Sequence, residues 1–88
     1  MKAVVSVTGK DRTGIIAAVA GELAASSINI LDISQTLVNG NFVMIMTVEA
    51  PDDTDIGTIG ERVQSSIKGW GLLVHVQHED LFTHMHRV

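Results

Sequence analysis

The chain has 88 residues, a net charge of −4 and no cysteine. That length makes one small domain, and the missing thiol excludes cysteine nucleophiles and Cys-based zinc sites. An acidic balance supplies no field to hold nucleic acid or an anionic membrane surface.

Residues 2–8 alternate, with Ala3, Val5 and Val7 facing one way and Lys2, Val4, Ser6 and Thr8 the other, which predicts a strand with one buried face. Turn and charge residues follow, and from Ile15 to Ala25 the spacing becomes helical, with Ile16, Val19, Ala20 and Leu23 on one stripe. Residues 28–38 predict a second strand. Its alternation changes phase, since Ile28 and Ile30 share one parity and Leu31, Ile33 and Leu37 the other, so a bulge is expected near Ile30-Leu31. Asn39-Gly40 fits a tight type I′ hairpin turn. The third strand, residues 41–50, is apolar on both parities and is expected to be central or buried on both faces. Residues 51–55 form an acidic loop that caps a second helix, whose stripe is Ile56, Ile59, Val63 and Ile67 and whose end is expected at a left-handed Gly69. Residues 72–79 predict the last strand. Asp80 and the residues after it suit one or two helical turns, with Leu81, Phe82, Met85 and Val88 on one side.

The order β-α-β-β-α-β, with two right-handed crossovers and one hairpin, predicts an α+β fold: a ferredoxin-like sandwich whose four-stranded antiparallel sheet runs 4-1-3-2 with both helices on one face. Residues 1–80 form the domain, and residues 81–88 a tail that packs on the sheet or on a dimer partner. The opposite sheet face, bearing Val43, Ile45 and Leu73 or their counterparts, would otherwise be an association surface.

The stretch between the first strand and the first helix is where binding chemistry concentrates. Gly9 and Gly14 bracket a loop that ends at a helix N-terminus, whose free amides and partial positive charge suit a small anion such as a carboxylate. Asp11 is placed to face a ligand ammonium, and Lys10 or Arg12 a carboxylate. The competing reading is that Asp11 or Thr13 only caps the helix.

Gly9-Lys-Asp-Arg-Thr-Gly-Ile-Ile16, followed by Ser27-Ile-Asn-Ile-Leu-Asp-Ile33, resembles an ACT domain, the small regulatory module that binds amino acids in biosynthetic enzymes and regulators. The similarity spans the whole chain. The Asp-Arg-Thr-Gly variant looks most like ACT domains of the glycine-cleavage-repressor type, and the ending Leu81-Phe-x-x-Met-His-Arg-Val88 like that of stand-alone single-ACT proteins without assigned function. The resemblance implies a homodimer or higher oligomer with the effector between two domains. The first strand-helix loop of one subunit, Gly9, Lys10, Asp11, Arg12, Thr13, Gly14 and Ile15, would meet Asn29 at the start of the second strand of its neighbour. Serine-binding members carry a histidine where this chain has Gly9 and an asparagine where it has Asp11, so the pattern departs from theirs.

Other constellations carry less. Gly9-Lys10 lacks the upstream glycine and the following Ser/Thr of a phosphate loop. His75 and His78 differ by three on a strand and point to opposite faces, and the spacing of His84 and His86 does not suit one helix face, so no metal site is expected. Met44 and Met46 are expected in the core, and Asp52, Asp53 and Asp55 in a solvated loop. Three aromatics, Phe42, Trp70 and Phe82, are too few for a base-stacking platform. Ser6, Thr8 and Thr13 have no evident base, so neither catalysis nor a cofactor is expected. Met1-Lys2 leads directly into a strand pattern without a secretory signature, and the apolar run from Ile15 to Leu23 is too short to cross a bilayer, which together predict a cytoplasmic protein. The function these features predict is a regulatory module that binds a free amino acid at a dimer interface and acts through a partner enzyme or regulator. The alternative is a ligand-free interaction module working through its sheet face and tail.

Overall fold

The computed structural model describes residues 1–80 of the chain. The elements are β1 (Lys2–Lys10), α1 (Ile15–Ala25), β2 (Asn29–Val38), β3 (Asn41–Glu49), α2 (Ile56–Ser66) and β4 (Leu73–His78). All pairings are antiparallel and the sheet order is β2-β3-β1-β4, the expected order seen from the other edge. Alternation on the two central strands builds the core. Ala3, Val5 and Val7 of β1 and Phe42, Met44, Met46 and Val48 of β3 pack with Ile15, Val19 and Leu23 of α1 and with Ile59, Val63 and Ile67. The helical residues recur at intervals of four, so each helix turns one stripe to the sheet. Both helices lie on that one face.

The phase change in the second strand is a register shift between Ile30 and Asp32, which leaves Leu31 as the extra residue. Asn39 and Gly40 have φ of 53° and 80°, the doubly positive pattern of the predicted tight turn. Met44 and Met46 are fully buried, whereas Val43 and Ile45 on the other face of β3 are half-buried: the strand is central, not enclosed on both sides.

Beyond one-residue differences at the ends of β2, β3 and β4, three boundaries differ from the sequence reading. Strand β1 continues through Gly9 to Lys10, because Gly9 keeps the backbone extended at φ 152° and Lys10 pairs with Asn41. Neither Asp11 nor Thr13 caps α1: the N-cap is Gly14 in the left-handed region (φ 92°), with no side-chain cap bond. Helix α2 ends at Ser66 with Ile67 as its C-cap, so Gly69 (φ 82°) belongs to the loop beyond rather than to the cap itself. Asp55 does occupy the N-cap position of α2, although its side chain makes no cap hydrogen bond.

Strand β2 lies at one edge of the sheet, and every residue from 31 to 40 is exposed. No helix among the described residues is long and apolar enough to cross a membrane. The contacts expected of Leu81, Phe82, Met85 and Val88, and the positions of His84 and His86, lie outside the described residues.

Candidate functional site

Three connections meet at one end of the sheet: residues 11–14 between β1 and α1, the Asn39-Gly40 turn, and residues 67–72 before β4. The first is held between the other two. The Asp11 amide donates to the Gly40 carbonyl at 3.5 Å, and the Arg12 guanidinium lies 3.9 Å from the centroid of the Trp70 ring. Gly9 completes the clamp. A side chain at that position would come within 2.7 Å of Leu72 Cδ2 and 3.0 Å of the Gly71 carbonyl oxygen, so only a glycine lets β1 pass this close. Gly14 plays a different part: a Cβ added there would meet nothing within 4 Å, and its left-handed backbone turns the chain into α1. Ile15, the first helical residue, is 2% exposed and anchors that end of the loop in the core.

On the β2 side of this loop is an open hollow of about 340 Å³, lined by Asp11, Gln35, Thr36, Leu37 and Phe42. It lies at the small end of the usual range for small-molecule pockets, about 300–1,000 Å³. Its floor is Phe42, 6% exposed, and its wall is Leu37, 61% exposed and level with Phe42 across the β2–β3 pair. Asp11 supplies a carboxylate that has no ion-pair partner among the described residues. A hollow with an apolar floor, a carboxylate at the rim and the amide and hydroxyl of Gln35 and Thr36 can hold a small molecule bearing a cationic group beside an apolar one.

Of the residues singled out in the sequence, Gly9, Lys10, Asp11, Arg12, Thr13, Gly14 and Ile15 are contiguous around this loop, with Asp11 lining the hollow and Arg12 turned toward Trp70. Asn29 is not with them. It pairs with Glu49, whereas Lys10 and Val38 both pair with Asn41, so eight residues of β3, about 26 Å of strand, separate Asn29 from the loop within one chain. The sequence reading missed Gln35, Thr36, Leu37 and Phe42. A signal for them existed: a two-residue Asn39-Gly40 turn fixes the register that places Leu37 opposite Phe42. No comparable signal marked Trp70 as the loop's other neighbour. Among the described residues, no three His, Cys, Asp or Glu side chains are grouped to hold a metal ion.

The fold and this loop define a class: a small ferredoxin-like module with an open hollow where its first strand-helix connection meets an open sheet edge. Residues 2–77 match the family model of the ACT domain, and the chain belongs to that family, whose members are generally regulatory and ligand-binding. A UPF0237 protein of Methanocaldococcus jannaschii is 44% identical over 88 residues, covering 99% of this chain and 98% of that one. An ACT domain protein from Streptococcus pneumoniae, 32% identical, superposes with a TM-score of 0.81 over 93% of each chain. A glycine cleavage system transcriptional repressor shares the fold at a TM-score of 0.65 and 20% identity, over 86% of this chain and 44% of that one.

Proposed function

We propose that the chain is a regulatory module that binds a free amino acid at the loop of residues 9–15, in a site completed by Asn29 of a second copy. The observation that carries this reading is the position of the hollow against β2. That strand is an edge, exposed from residue 31 to residue 40, and it presents Leu31, Ile33, Leu37 and Val38 to solvent. Long apolar edges are sites of strand pairing. If β2 pairs with β2 of a second copy across a twofold axis, the strands run antiparallel, and the Asn29 end of one comes beside the Val38 end of the other. The amide that lies about 26 Å away within one chain is thereby brought to the hollow of the next. Asp11 then faces the ligand ammonium, Asn29 and Lys10 lie toward its carboxylate, and Leu37 and Phe42 receive its side chain. The output passes to a partner enzyme or regulator.

The second reading, an interaction module with no ligand, is favoured by the outer sheet face, where Leu73 is 75% exposed and, across β1, Val43 and Ile45 are half-buried. A thermal-shift screen against the twenty amino acids separates the two. A ligand at 100 times its dissociation constant adds about 2.7 kcal/mol, and in a domain of this size each kcal/mol raises Tm by about 4–8 °C. The shift is expected for at least one amino acid and is lost in Asp11→Ala. No shift with any of them favours the interaction module, and a protein that sediments as a monomer at high micromolar concentration removes the seam.

A further inference from the structure

On the helix face of the sheet, Leu37 is an apolar side chain without cover. It is level with Phe42, and Phe42 belongs to the core between sheet and helices, so the two side chains share that face. Phe42 is 6% exposed, yet Leu37 is 61% exposed. The helices therefore stop short of the edge strand at this end. At the other end of β2 they do not: Ile30, level with Val48 on the same face, is partly buried against the core. The step from Phe42 up to Leu37 forms the floor and wall of the hollow beside Asp11.

The chemistry around Leu37 limits what can cover it. Asp11 is the charged residue lining the hollow, and its carboxylate has no ion-pair partner among the described residues, so it suits the ammonium of a ligand. Gln35 and Thr36 are exposed to water, and a hydrogen bond from either to a ligand replaces one already made to solvent. Covering Leu37 is different, because it removes apolar area from water with nothing given up in exchange. Apolar contact therefore ranks the ligands. Size sets the upper bound. The hollow holds about 340 Å³, room for roughly eleven water-sized groups at about 30 Å³ each, which admits leucine and is overfilled by tryptophan. Pairing of β2 with a second copy runs in the plane of the sheet, whereas the Leu37 side chain stands out of that plane, so such a seam does not by itself cover it. We propose that the effector is an amino acid with an aliphatic side chain in the size range of valine to leucine, and that Leu37 selects it by packing on that side chain above Phe42. This rests on the amino-acid reading of the site and adds which amino acids it prefers.

A homologous series tests the selection. The full chain is titrated calorimetrically with alanine, 2-aminobutyrate, norvaline, serine, leucine and tryptophan. Affinity should rise about fourfold for each methylene from alanine to norvaline. 2-Aminobutyrate should bind more tightly than serine, which matches it in size but carries a hydroxyl in place of the methyl group, and leucine more tightly than tryptophan. Leu37→Ser changes an exposed side chain, so the far-UV dichroism should stay as it is, while the gain per methylene should fall to about twofold or less. Asp11→Ala should instead weaken every member of the series alike. Three results overturn the selection and leave the amino-acid reading standing: no gain from alanine to norvaline, a series that rises as steeply in Leu37→Ser, or binding confined to polar and charged amino acids in the thermal-shift screen. Absence of binding by any amino acid in that screen removes the reading itself, and this inference with it.

Discussion

Gly9→Ala tests the close approach on which the shape of the candidate loop depends. Two costs add. The backbone at φ 152° is one that residues with a side chain rarely adopt, and holding one there costs about 1–3 kcal/mol. The new methyl group would also be 2.7 Å from Leu72 Cδ2 and 3.0 Å from the Gly71 carbonyl oxygen. Leu72 is 4% exposed and packed in the core, so it has little room to withdraw, and overpacking of this kind costs about 1–3 kcal/mol. The sum, about 2–6 kcal/mol, is a large part of the total of about 4–13 kcal/mol expected for 88 residues at 0.05–0.15 kcal/mol each. Gly14→Ala is the matched control. Its φ of 92° imposes strain, but nothing lies within 4 Å of the added carbon, so only about 1–2 kcal/mol is expected.

Urea unfolding followed by the fluorescence of Trp70, at one fixed protein concentration, reads both variants. The midpoint should fall much further for Gly9→Ala, with the slope unchanged. Leu72→Ala supplies the cross-check: by removing the nearest obstacle it should reduce the cost of Gly9→Ala, a coupling visible in a double-mutant cycle. Equal losses for the two glycines, or a Gly9→Ala cost that is the same with and without Leu72, would refute the account of the clamp.

Arg12→Ala removes the stack on Trp70. It should cost about 0.5–1 kcal/mol, as expected for an exposed cation–π contact, and change the Trp70 emission, with Arg12→Lys retaining part of both effects. Acid sensitivity should be set in part by Asp52, whose Oδ1 accepts a hydrogen bond from the Met1 ammonium at 2.8 Å. That hydrogen bond and the positive charge hold its carboxyl below 3.8, its ordinary value. Since the folded state depresses this pKa, the contribution is fully present above about pH 3.8 and is lost as pH falls through the folded value. Asp52→Asn should therefore flatten the acid limb of the stability profile and leave its shape above pH 5, roughly, unchanged.

The layout of the fold was legible because periodicity governs it. Strict alternation in residues 2–8 and four-residue intervals at Ile59, Val63 and Ile67 match the core, and the phase slip at Ile30-Leu31 located the bulge before any register was known. Boundaries set by backbone conformation were harder. Nothing in residue type says that Gly9 keeps β1 extended while Gly14 turns the chain, since both are glycine and the distinction rests on Leu72 and Gly71, more than fifty positions away. The same limit applies to the hollow. Asp11 was identified from its loop, but Leu37 and Phe42 looked like ordinary strand residues until the hairpin register set them side by side at an edge. Trp70 joined the loop through a contact between two connections, which no local pattern encodes.

The separation of Asn29 from Asp11 bears on how a chain of this size could regulate anything. One copy holds a carboxylate and an apolar floor at one end of its sheet and the amide at the other. If the effector is held by both, as proposed, it binds two chains at once. Ligand affinity and self-association are then linked, and each must strengthen the other by the same factor. A factor of about 5–150, the ordinary range for coupling between sites, corresponds to about 1–3 kcal/mol. A few charged or polar contacts at the seam suffice for that. The β2 edge suits such a switch because its apolar side chains are spread along a single strand rather than gathered in a broad patch: Leu31, Ile33, Leu37 and Val38 are each 41–61% exposed. Pairing through one strand buries little area on its own. On the proposed reading it would therefore leave the balance between one copy and two open to a small ligand, and a change in effector concentration would become a change in assembly that a partner protein could recognise.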